Sequence, residues 1–122
     1  MKIWGNGTAV RDFAYSRDVA EGAIQALLHG TGGGFMNLGS GRGCSILELV
    51  ETLHAIVDFR HEFDSAKPSG APVRIMDISM AQKEIGYNPT TSLLTGLKET
   101  WKWFLAHQDE YLKKKNYFVA EA

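Results

Sequence analysis

Trp4-Gly5-Asn6-Gly7-Thr8-Ala9-Val10-Arg11-Asp12-Phe13-Ala14-Tyr15 is the stretch on which the reading of the chain turns. Two glycines flank Asn6, so the backbone can take positive φ and turn sharply. Lys2 to Trp4, just before the turn, reads as a short strand, and Phe13 to Tyr15, just after it, as a second. A cation, Arg11, follows the Gly-rich turn directly before that second strand. A charge placed next to a rigid turn suits a binding edge better than a core.

Downstream, helical and strand patterns alternate. Asp18 and Glu21 have capping-box spacing, and Ala20, Ile24, Leu27 and Leu28 share one helical face. Gly30 is placed to end that helix. Phe35 to Leu38 reads as a third strand, followed by the loop Gly39-Ser40-Gly41-Arg42-Gly43. Ser45 and Glu48 form a second capping box, ahead of an apolar stripe of Ile46, Leu49, Val50, Leu53, Ile56 and Val57. His61 to Phe63 is a strand candidate, and Asp64 to Pro72 a loop marked by Pro68, Gly70 and Pro72. Arg74 to Asp77 reads as extended. Ser79 should cap a short helix that Gly86 ends, and Asn88-Pro89 bars its continuation. The last helix is expected from about Ser92 to about Lys115, with cations in its final turn. The result is an α/β chain of short strands and about four helices.

The chain has 122 residues, 44% hydrophobic and 22% charged, which suits one folded unit and not a disordered one. Its formal net charge of -1 argues against a dedicated nucleic-acid binder. The one cysteine, Cys44, allows no intrachain disulfide and fits a reducing, cytoplasmic setting. No apolar run approaches the roughly 18 residues of a membrane span, and the first residues lack the apolar core of a secretory signal.

Most candidate chemistry dissolves on inspection. The Gly39–Gly43 loop lacks the final glycine of a dinucleotide fingerprint and reads mainly as a strand-to-helix turn, with a ligand contact at the helix N-terminus left open. Tyr111 and Lys115 have the spacing of a tyrosine acid and its lysine, but lie in a lysine-rich helix end that suits a solvated face. His29, His54, His61 and His107 show no metal-ligand spacing. Cys44 has no evident base and reads as a buried thiol. What remains is a set of anion-binding character: Arg11, Lys67 in the Pro/Gly-stiffened loop, and Arg74. Cationic donors on rigid loops match diphosphate oxygens, and Trp4 offers a flat wall for a ring.

The order of these motifs resembles the extended short-chain dehydrogenase/reductases of the NAD-dependent epimerase/dehydratase family. Residues 4–15 are similar to its W-G-x-G-T-x-x-R-[DE]-F-x-[YH] segment, and Asp18-Val19-Ala20 to its D-[VL]-A. Asn37-Leu38-Gly39-Ser40-Gly41, Ser45-Ile46-x-Glu48-Leu49, Lys67-Pro68-Ser69-Gly70 with Asp77, Gly86-Tyr87-x-Pro89, Gly96-Leu97 and Trp103-Phe104 follow in family order. Phe63-Asp64-x-x-Lys67-Pro68-x-Gly70 and the run from Trp103 to Asp109 bring it nearest the GDP-L-fucose synthase-like branch. Ser16-Arg17 departs from the valine and polar residue usual in that branch.

The resemblance implies a C-terminal, nucleotide-sugar-binding part, residues 1–122, without the Rossmann half. Trp4, Arg11 and Lys67 would face a nucleotide-diphosphate sugar, with Arg11 and Lys67 on its phosphates and Arg74 as a neighbour. The family's NAD or NADP site and its catalytic Tyr-x-x-x-Lys precede this part, so the chain is expected to hold no cofactor and not to be catalytic alone. Removal of the cofactor half would bare apolar surface, from which self-association is expected. The alternative is a stand-alone, self-associating module that kept the fold and lost ligand affinity.

Overall fold

In the computed structural model, which describes residues 1–113, the backbone forms five short strands and five helices. Strand β1 (Lys2–Trp4) pairs in parallel with β4 (Glu62–Asp64), in the register Lys2 to Glu62 and Trp4 to Asp64. A separate three-stranded sheet has β2 (Val10–Asp12) at its centre. The strand β3 (Gly43–Ser45) lies antiparallel on one side and β5 (Val73–Arg74) parallel on the other. The helices are α1 (Ser16–His29), α2 (Ile46–His54), α3 (Ser79–Ile85), α4 (Leu93–Ala106) and α5 (Gln108–Leu112). No described helix is long and apolar enough to cross a membrane. The mixed α/β class read from the sequence holds.

Local chemistry explains where several elements start and stop. Ser45 Oγ accepts from the Glu48 amide and opens α2; Ser92 Oγ accepts from the Thr95 amide and opens α4. Gly86, at φ 66°, ends α3 in the left-handed conformation glycine favours. At α3 the expected cap is corrected: Ile78 is the cap residue, and the Asp77 carboxylate accepts from the Ser79 amide.

Four further expectations change. The second strand is Val10–Asp12 and not Phe13 to Tyr15, because the polar pair Arg11-Asp12 finds partners on both sides of a central strand. Asp18 does not cap α1; its carboxylate accepts from the amide (3.1 Å) and hydroxyl (2.7 Å) of Thr91 and ties α1 to the start of α4. Gly30 ends α1 as expected, in an extended conformation. Phe35 to Leu38 forms no strand: residues 31–38 make no backbone–backbone hydrogen bond among the described residues. The last helix also divides at His107, and its expected end at Lys115, with Lys114, lies outside the described residues.

The core is small. Ile78, Ala81 and Tyr87 form its centre, with Met36, Leu38 and Ile85 packed around them. The Tyr87 hydroxyl donates to the Gly39 carbonyl at 3.0 Å. The accessible surface is 9243 Å². A compact monomer of 13.5 kDa exposes roughly 6,500 Å². The surface is thus larger than that of a compact monomer of this mass.

The α1 helix contributes to that excess by its orientation. Its buried side is Gly22, against Tyr87 and Leu38, while Ala20, Ala23, Ile24, Leu27 and Leu28 all face outward. The apolar face legible in the sequence is thus an exposed one.

Candidate functional site

The turn after β1 and the loop after β4 are bound to each other. Gly5, at φ 84°, turns the chain back so closely that a Cβ on it would lie 2.7 Å from Ser69 Cβ. Only glycine fits both the angle and the contact. The Asp64 carbonyl accepts from the Gly5 amide (2.9 Å) and from the Lys67 amide (3.1 Å), so one oxygen holds both segments. Trp4 and Lys67 come together as a result: Lys67 Nζ lies 5.9 Å from the centroid of the Trp4 ring. Trp4 is 63% exposed, leaving the ring open to a second flat group.

Arg11 joins the same loop from β2. Its Nη1 donates to the carbonyls of Val10 and Ala71, both at 2.7 Å, and its Nη2 to that of Ser69 at 2.9 Å. Three of the five guanidinium protons are thereby used. Nε–H and one Nη2–H have no partner among the described residues, and an anion can take these two donors. Register places Arg74 on β5 directly beside Arg11. Both line an open hollow of about 780 Å³ with Asp12, Val73, Ile75 and Met76; Trp4 and Lys67 stand outside its lining.

None of these cations is ion-paired among the described residues, where the one salt bridge is Arg17–Glu21 on α1. Lys67 and Arg74 on one segment, with Arg11 bound to that segment from β2, attract an anion, and the backbone carbonyls that fix Arg11 do not neutralise its charge.

Asp12 carries a role the sequence reading missed. Its carboxylate accepts from the amides of Ser40 (2.8 Å), Gly41 (3.0 Å) and Met76 (3.2 Å). Burial alone would raise its pKa; contacts with Ser40 and the Met76 and Gly41 amides outweigh this and hold it below the ordinary 3.8. The signal was present as the acid that follows the arginine in residues 4–15.

The Gly39–Gly43 loop does not fit a dinucleotide phosphate, because the Ser40 and Gly41 amides are given to Asp12 and the Arg42 amide to Ser40 Oγ. A strand, β3, also separates the loop from α2. Cys44 is buried; desolvation first, then the Glu48 carboxylate, pushes its thiol up to about 11. His54 Nε2 and His61 Nδ1 are 2.9 Å apart, with Phe59 stacked on His54 at 4.3 Å. No group of three or more metal-binding side chains converges among the described residues. Tyr111 lies in α5, and Lys115 lies outside the described residues.

Comparison with known proteins agrees with the motif order. Residues 1–39 match the family model described as NAD dependent epimerase/dehydratase family. The chain is 38% identical over 105 residues to a probable GDP-L-fucose synthase 1 of Oryza sativa subsp. japonica, covering 84% of this chain and 32% of that protein. It is 32% identical over 120 residues to the GDP-L-fucose synthase of Escherichia coli (strain K12), covering 89% and 37%. The fold superposes on UDP-glucose 4-epimerase of Thermotoga maritima, solved with UDP-glucose, with a TM-score of 0.78 at 29% identity, over 88% of this chain and 35% of that one. The chain thus spans about a third of the length of these relatives.

Proposed function

Because this chain belongs to the NAD-dependent epimerase/dehydratase family of extended short-chain dehydrogenase/reductases, we propose that it is the nucleotide-diphosphate-sugar-binding portion of a sugar epimerase, dehydratase or reductase. The observation that carries the reading is the shared 64–74 segment: Lys67 beside the Trp4 ring, and Arg11 latched to the same loop next to Arg74, none of them ion-paired among the described residues. The base or ribose of a ligand would lie along Trp4. The diphosphate would take the open edge of Arg11 together with Lys67, and Arg74 would add charge at the rim of the hollow.

The hydride carrier of the family, NAD or NADP, finds no phosphate cradle in the Gly39–Gly43 loop. No chemical step is therefore assigned to these residues. They bind and orient, and the chain is not expected to turn over a nucleotide sugar alone.

Calorimetric titration with GDP, UDP and dTDP tests the reading. One of them should bind at millimolar ligand or below, and Arg11→Ala should weaken it by about tenfold or more, as expected for a lost charge-assisted hydrogen bond. No heat from any of the three, or an unchanged affinity in the variant, overturns it. The bare apolar surface favours a second reading, a self-associating module that kept the fold and lost the ligand. Thermal stability unmoved by any nucleotide would select that one.

A further inference from the structure

We propose that His54 and His61 form a chelating pair for a divalent transition cation of the copper or nickel kind, a site independent of the nucleotide reading. His54 is the last residue of α2, and His61, seven residues on, stands directly before β4. Their facing nitrogens, Nε2 of His54 and Nδ1 of His61, lie 2.9 Å apart. Two nitrogens bound at right angles to one ion, each about 2.0–2.1 Å from it, are separated by about 2.9 Å. Tetrahedral zinc asks for roughly 3.3–3.4 Å. The pair therefore suits the right-angled coordination of copper(II) or nickel(II) better, and imidazole is a ligand both ions favour.

The chain's own contacts hold both rings in place. Phe59 stacks on His54 with parallel planes, 4.3 Å between centroids, and Phe63 meets His61 edge-on at 5.4 Å. The Ile56 and Val57 amides both return to the Leu53 carbonyl at 2.9 Å, turning the chain after α2, and the Glu62 amide donates to the Met1 carbonyl at 3.1 Å where β4 joins β1. Ligands already positioned lose little freedom on binding. Both histidines are exposed, and neither ring has another hydrogen-bond partner among the described residues. In the metal-free pair one facing nitrogen donates its proton and the other accepts it. Coordination needs both lone pairs, so the donor ring moves its proton to its outer nitrogen, and two neutral rings bind the ion with no net loss of a proton. A small turn of the rings then aims both lone pairs at one point. No third metal-binding side chain converges among the described residues, so water fills the remaining positions. The ion bridges the end of α2 and the start of β4, the strand whose Asp64 carbonyl holds Gly5 and Lys67.

The test is calorimetric titration of the 122-residue chain, carrying no histidine tag, with the chlorides of copper(II), nickel(II) and zinc(II). One ion per chain is expected, with copper(II) bound most tightly. His54→Gln and His61→Gln should each weaken binding by at least about tenfold. His29→Gln and His107→Gln should leave it unchanged. Both ligand side chains are exposed, so the helical circular dichroism of the variants should match the parent. Electron paramagnetic resonance of the copper(II) form counts the ligands without any variant, and coupling to two imidazole nitrogens is expected. At about ten times the dissociation constant the ion should raise Tm by about 2–5 °C, a gain lost in the His61→Gln variant. No saturable binding overturns the proposal. So does an affinity unmoved by His54→Gln and His61→Gln, a loss with His29→Gln or His107→Gln, a copper spectrum with one imidazole or none, or zinc bound more tightly than copper. Nucleotide titrations run in a chelator keep metal from this pair, so the two readings can fail independently.

Discussion

Replacing Asp12 by Asn removes one charge and almost no volume, which makes it a clean probe of the joint at the centre of the sheet. The carboxylate serves three amides, at 2.8, 3.0 and 3.2 Å. An asparagine oxygen set in the Oδ2 position keeps the Gly41 and Met76 amides, but its NH2 then faces the Ser40 N–H, donor against donor. A hydrogen bond to a charged acceptor contributes about 1.5–3 kcal/mol net. Partial exposure of the site reduces this, so the lost bond amounts to roughly 1–2 kcal/mol. For a chain of this size each kcal/mol moves Tm by roughly 4 °C, so a fall of about 4–8 °C is expected. Thermal unfolding followed by circular dichroism reads it, with urea unfolding as a second measure. The pH dependence adds a signature. The folded pKa of Asp12 lies below its ordinary 3.8. Its stabilisation is therefore complete above that value and is lost as pH falls through the folded one. The gap between parent and Asn variant should be flat near neutrality and close in acid. A Tm drop under about 2 °C, or a gap that widens as pH falls, would refute the reasoning.

Other perturbations probe the same framework. Gly22→Ala places a methyl 2.6 Å from Tyr87 Cε2, so the ring must shift; a loss of about 1–3 kcal/mol in urea unfolding is expected. Tyr87→Phe deletes the buried bond to the Gly39 carbonyl and should cost about 1 kcal/mol at neutral pH. Burial, then the charges of Asp18 and Asp12, raises the Tyr87 pKa above 10.0, so the parent should lose stability as pH rises beyond that value, while the Phe variant escapes this part of the loss. Cys44, with its thiol near 11, should resist a thiol reagent in the native chain and react at once in urea.

What the sequence made legible were features set by neighbouring residues. The turn at Gly5-Asn6-Gly7, the Ser45 cap of α2 and the Gly86 stop of α3 are governed by φ or by a hydrogen bond three residues away, and each stands where expected. Features that depend on distant partners were misread. The Phe35 to Leu38 run is apolar enough to read as a strand, yet a strand exists only where another lies beside it. The stripe on α1 is amphipathic as read, but periodicity reports only that one face is apolar, not what it meets. Asp18 matched a local cap, and Thr91, seventy-three residues on, took it instead.

The candidate site shows the same division. Trp4, Arg11, Lys67 and Arg74 were singled out beside glycine and proline turns and given weight by the family resemblance, while Asp12 beside them was passed over. The two neighbours do opposite work for one electrostatic reason. A guanidinium only donates, so Arg11 gathers carbonyls, those of Val10, Ser69 and Ala71. A carboxylate only accepts, so Asp12 gathers amides, those of Ser40, Gly41 and Met76. One dipeptide on the central strand therefore fastens two loops whose backbones present opposite polarity. A hydrophobic strand in that place would have been easier to recognise and would have left all six groups without these partners. Two of the guanidinium protons are surplus to the fastening, and through them Arg11 can anchor a loop and receive an anion at once.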